Sequence, residues 1–90
     1  MKVQLKGTIK VIFATEKIND KLSKKQIVVT VDEDTQYPQD IICDAVNNKI
    51  DLIDSKYKMG DAVIVQIDLR GKENKGKYYN QISLMDISKQ

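Results

Sequence analysis

From Val3 to Phe13 the chain alternates apart from Ile12, with Val3, Leu5, Gly7, Ile9, Val11 and Phe13 on one parity and Lys2, Gln4, Lys6, Thr8 and Lys10 on the other. A period of two predicts a half-buried first strand with Phe13 on its inner face. Gly7 brings no side chain to that face and suits a sharp bend where a small barrel turns a corner. Glu16 to Ser23 is polar apart from Ile18 and Leu22 and reads as a long loop, whereas Gln26 to Val31 is rich in β-branched residues and reads as a second strand. Asp32 to Gln39 is an acidic turn closed by Tyr37-Pro38, where proline holds Tyr37 extended. Ile41 to Val46 is a third strand with apolar residues on both parities, so its inner face is left open.

The period then changes. Ile50, Ile53 and Tyr57 share one stripe at helical spacing, bounded by Asn47 or Asn48 as a cap and by Gly60 as the exit, which predicts a short helix from near Asn48 to before Gly60. Tyr57 is expected to plug the barrel with its hydroxyl at the surface. Alternation returns in a fourth strand, Asp61 to Arg70, with Val63, Val65, Ile67 and Leu69 inside. A basic, Gly-flanked hairpin connects it to a fifth, whose apolar positions Tyr79, Ile82, Leu84 and Ile87 change parity and predict a bulge. Ser88 to Gln90 reads as a frayed end. Five strands with one helix ahead of the fourth is the element order of an all-β, five-stranded OB-fold barrel, and residues 1–90 are expected to form that single domain.

Composition narrows the chemistry. There is no His, and Cys43 is the only cysteine, so imidazole catalysis, Cys/His metal sites and a disulfide within one chain are excluded. Cys43 is expected to be a buried, unpaired core thiol. No apolar run approaches the ~20 residues that span a bilayer, and the alternating N-terminus leaves no room for a signal peptide, so a cytoplasmic location is expected. Asp32, Glu33, Asp34 and Asp40 lack the Gly and distal Glu of a calcium loop, and Asp51 and Asp54 face no opposing acid or base; neither a metal, a cofactor nor an enzyme is expected.

The net charge of +2 is small but unevenly spread. Lys17, Lys21, Lys24 and Lys25 cluster around the first loop, and Arg70, Lys72, Lys75 and Lys77 with Tyr78 form the hairpin. Flexible cations that follow phosphates beside a ring that stacks on bases are the pattern of single-strand binding. These nine residues are the expected nucleic-acid contacts. Tyr37 reads either as a stacking ring at a loop edge or as a cover for the barrel end, and Tyr79 reads as core.

Lys6-Gly7-Thr8-Ile9-Lys10, Lys24-Lys25-Gln26, Tyr37-Pro38-Gln39, Lys49-Ile50-Asp51-Leu52-Ile53-Asp54, Met59-Gly60-Asp61 and Gly76-Lys77-Tyr78-Tyr79 together resemble the small OB-fold proteins classed as a domain of unknown function in bacteria and phages. That family is similar in turn to bacterial single-stranded-DNA-binding proteins. The resemblance implies an OB barrel and a non-catalytic role on single-stranded DNA, with RNA as a related ligand, in replication, recombination or repair. The middle strands contain no aromatic residue, so stacking is expected from the margins. The competing expectation is a protein-interaction module that forms a homo-oligomer or joins a larger assembly, which Ile12, Val28 and one of Ile42 or Val46 would serve from outside the barrel.

Overall fold

Gly7 is where the first strand changes partners. In the computed structural model, which describes residues 1–90, β1 (Lys2–Ile12) pairs with β5 (Ala62–Asn74) through Lys2–Thr8 and with β3 (Leu22–Val31) through Gly7–Ile12. A Cβ on Gly7 would run into the carbonyl oxygen of Thr30, so two strands approach here only because the side chain is missing. β3 pairs with β4 (Gln39–Val46), β5 with β6 (Lys77–Lys89), and the parallel bridge Asp44–Ser83 joins β4 to β6. The cycle β1-β5-β6-β4-β3-β1 is a closed five-stranded barrel, with the helix α1 (Asn48–Asp54) between its third and fourth strands. This is the expected OB-fold.

The inward parity is the expected one through most of the chain. Ile9, Ile27, Val29, Cys43, Ala45, Val63, Val65, Ile67 and Leu84 lie buried together, and Ile50 and Ile53 of α1 close one end of that core. For β4 the structure decides what periodicity left open: Cys43 and Ala45 point in, and Ile42 points out, half-exposed. The expected bulge is present in β6, where Gln66 faces Asp86 and Ile67 faces Leu84, leaving Met85 as the extra residue.

Other features differ from expectation. β1 carries its own irregularity, with Ile9 opposite Val29 but Val11 opposite Val28, so Lys10 is the additional residue. Parity flips there: Ile12 packs against the core, and Phe13 lies outside at 46% exposure. The long first loop contains a short strand, β2 (Glu16–Asn19), in a hairpin with the start of β3. Its four exposed residues bury nothing, so only pairing to Leu22–Lys24 holds it. α1 ends at Asp54, but Tyr57 still donates its amide to Ile53 and its hydroxyl to the Ile87 carbonyl at 3.1 Å, so that hydroxyl is used inside. Asn47 does not cap the helix with its side chain; its Oδ1 accepts from the Ser23 amide at 2.9 Å instead. The final residues are held, with Gln90 Nε2 donating to the carbonyls of Gly7 and Val63.

Candidate nucleic-acid interface

The outer face of β1, β3 and β4 is built in rows across the strands, because directly paired residues project to the same side. One row is Thr8, Thr30 and Asp40, the next Val11, Val28 and Ile42, and the third Gln26 and Asp44 with Phe13 at its end, its amide donated to the Gln26 carbonyl. Both carboxylates are matched. Asp40 accepts from the Thr30 hydroxyl at 2.7 Å and the Lys10 ammonium at 2.9 Å, and these bonds hold its carboxyl below the usual range. Asp44 accepts from Gln26 Nε2 at 2.8 Å, with Lys24 Nζ 4.0 Å away. An apolar row thus runs between two polar rows of balanced charge.

Two cationic hairpins leave opposite ends of this face. Lys17 lies in β2 and Lys21 in the following turn, both exposed, beside the start of β3 and the end of β4. Lys24 projects outward from β3 beside this hairpin. Lys25 is separated from the others: its parity points in, its side chain is 12% exposed, and its Nζ sits 2.8 Å from Asp54 of α1.

The second hairpin is an arm formed by the end of β5 and the start of β6. Lys75 and Gly76 both have positive φ, 53° and 80°, the conformation of a two-residue turn that matches strand twist. That turn places Asn74 opposite Lys77, Lys72 opposite Tyr79 and Arg70 opposite Gln81 on one face; Glu73 opposite Tyr78 and Gly71 opposite Asn80 take the other. The ring among the cations is therefore Tyr79, which was expected in the core and is 49% exposed. Tyr78, expected beside the lysines, faces Glu73 and is 78% exposed. Arg70, Gly71, Lys72, Tyr79, Asn80 and Gln81 line a groove of about 430 Å³. Arg70 Nε donates to Asp68 at 2.6 Å and holds that carboxyl below its usual range. Because Asp44 and Ser83 are bridged in parallel, outward parity passes from β4 into β6, so the Tyr79 face of the arm continues the outer face of β4.

The acidic turn lies elsewhere. Asp32, Glu33, Asp34 and Thr35 border a cavity with Lys6, Gly7, Thr8, Ala62 and Gln90, near the start of β5, whereas the tip of the arm is its far end, roughly 40 Å along the strand at ~3.3 Å per residue. Tyr37 stands on this turn, 71% exposed, and does not cover the core. No three His, Cys, Asp or Glu side chains converge to hold a metal, and no helix is long and apolar enough to cross a membrane. Cys43 is fully buried, and burial, with Asp44 nearby, pushes its thiol up to about 11. Phe13 and Tyr79 are the residues that sequence reasoning missed. The run Val11-Ile12-Phe13 and the pair Tyr78-Tyr79 were the available signals, each ambiguous by one position.

Comparison with known proteins agrees with the architecture. Residues 4–88 match the family described as a domain of unknown function, DUF3127. No curated protein matches the chain in sequence. Among solved structures, it is similar to the mitochondrial single-stranded DNA binding protein Rim1 of S. cerevisiae, with a TM-score of 0.81 at 13% identity over 99% of this chain and 94% of that one. The second single-stranded DNA binding protein, SSBb, of Mycobacterium smegmatis gives 0.74 at 12% identity, covering 99% and 84%. The N-terminal domain of PriB from Thermoanaerobacter tencongensis, solved as a dimer, gives 0.71 at 15%, covering 98% and 93%. At these identities the likeness establishes the OB fold.

Proposed function

The chain belongs to the DUF3127 family, and we propose that it is a non-catalytic, cytoplasmic binder of single-stranded DNA serving replication, recombination or repair. The observation that carries this reading is the outer face itself: an apolar row of balanced surroundings with a cationic hairpin at each end. Lys17, Lys21 and Lys24 at one end and Arg70, Lys72, Lys75 and Lys77 at the other supply phosphate contacts, while the face between them receives bases. Lys25 supports the site indirectly by tying β3 to α1, and Tyr78, opposite Glu73 on the other side of the arm, is left outside the contact set. Solved proteins of the same fold described as single-stranded DNA binding proteins support the reading.

Fluorescence anisotropy with labelled single-stranded DNA, single-stranded RNA and duplex DNA across a salt series tests it. The single strand is expected to bind more tightly than duplex, with log affinity falling by about 0.7 per phosphate contact for each decade of salt. The RNA arm reports whether the sugar is discriminated. Failure of every single strand to bind at low salt would overturn the proposal.

A second reading rests on the row Val11, Val28 and Ile42, which a second copy of the chain would cover in a homo-oligomer. Sedimentation velocity separates the two. A dimer that Ile42→Asp converts to monomer favours this reading, and a monomer at all concentrations removes it.

A further inference from the structure

We infer that Phe13 and Tyr79 are the two rings on which bases of the bound strand stack, one at each end of the outer face, and that the strand lies with its bases inward and its phosphates turned out toward the hairpin lysines. This rests on the single-strand reading above and assigns the base contacts within it.

The chain has five rings and no Trp. Tyr57 is committed to the interior through its bond to the Ile87 carbonyl. Tyr37 stands beside Asp32, Glu33 and Asp34, which repel a polyanion. Tyr78 lies opposite Glu73, on the side of the arm away from Arg70, Lys72 and Lys77. Phe13 and Tyr79 remain. Each is about half exposed, as expected of a ring laid against the sheet with one side open, which is the geometry of a stacking platform.

Their surroundings suit a nucleotide. Tyr79 lies directly opposite Lys72, with Arg70 and Lys77 on the same face, so a stacked base would carry its phosphate into reach of cations. Phe13 ends the row of Gln26 and Asp44, and Lys24 follows outward on the same strand. Between the two rings, Lys10 is committed to Asp40 and Gln26 to Asp44, so neither offers a free donor to a phosphate pressed onto the sheet, while Val11, Val28 and Ile42 accept apolar base surface. Bases inward is the orientation that satisfies both.

The test is a set of single variants, Phe13→Ala, Tyr79→Ala, Tyr78→Ala and Tyr37→Ala, titrated by anisotropy against one labelled single-stranded oligonucleotide at several salt concentrations, with folding checked by circular dichroism. Phe13→Ala and Tyr79→Ala should each weaken binding about 5- to 150-fold, with the salt slope unchanged, because stacking releases few counterions. Tyr78→Ala and Tyr37→Ala should retain the parent affinity. Tyr79→Phe should bind like the parent, and the emission of a Tyr79→Trp variant should be quenched on adding the oligonucleotide, which a purely structural tyrosine would not produce. Loss in Tyr78→Ala with none in Tyr79→Ala would overturn the assignment, as would parent-like affinity in both Phe13→Ala and Tyr79→Ala. A parent that binds no single strand would instead remove the functional reading, and the assignment with it, before any variant is compared.

Discussion

Gly7 shows how much one residue position can decide. Its missing side chain lets β1 leave β5 and cross to β3, and any Cβ would meet the backbone of Thr30, which has no flexible end to move aside. Gly7→Ala is expected to destabilise the barrel by about 1–3 kcal/mol or more, read as a lower urea midpoint at unchanged slope. Cys43 is equally constrained: with its thiol buried and pushed up to about 11, it should react with a thiol reagent only at the rate of opening, and rapid labelling of the native protein would contradict its placement. Both roles were legible in the sequence, because a glycine at a core position of a strand and a thiol within an apolar run admit few readings. Phe13 was not. The three apolar residues Val11-Ile12-Phe13 carry no alternation, so the bulge at Lys10 that turns Phe13 outward leaves no mark in the pattern.

The β5–β6 arm makes the same point for an element. Its existence followed from the basic, Gly-flanked sequence, but which tyrosine shares a face with the lysines depends on register, and a one-residue slip exchanges Tyr78 for Tyr79. The turn at Lys75-Gly76 fixes that register, so placing the turn would have placed the ring. β2 was invisible for a different reason: its residues are all exposed, and its strand conformation comes from pairing with β3 rather than from its own sequence. No core residue lies between Gly71 and Asn80. Replacing that stretch by a two-residue turn joining Arg70 to Gln81 should leave the thermal transition of the barrel nearly in place while single-strand affinity collapses. Equal loss of folding and binding would mean that the arm holds the barrel together.

At the scale of the whole molecule, charge is sorted along the barrel. The acidic turn sits near the start of β5 and the cationic arm at its end, so a net charge of +2 still leaves one end strongly positive. Asp68 lies where the arm joins the barrel, its carboxyl held below the usual value chiefly by the bond from Arg70. A carboxyl lowered in the native state adds stability above its unfolded value and loses it as pH falls through the native one. Stability should therefore decline as pH falls below the ordinary carboxylate range, and Asp68→Asn should flatten that decline in urea midpoints measured against pH. The barrel, its element order and the two cationic segments were all readable from periodicity and composition. The continuity of the outer face from β1 through β4 into the arm was not, because it depends on the β4–β6 bridge, a single contact between segments far apart in the chain.

The measurement that bears most directly on the account is the salt dependence of single-strand binding in the parent and in a variant with Lys72, Lys75 and Lys77 all replaced by Ala. If the arm holds phosphates, the variant should bind more weakly and its log–log slope should be shallower by up to about 2, at about 0.7 for each contact removed. Identical affinity and slope in the two proteins, with the variant folded by circular dichroism, would contradict it.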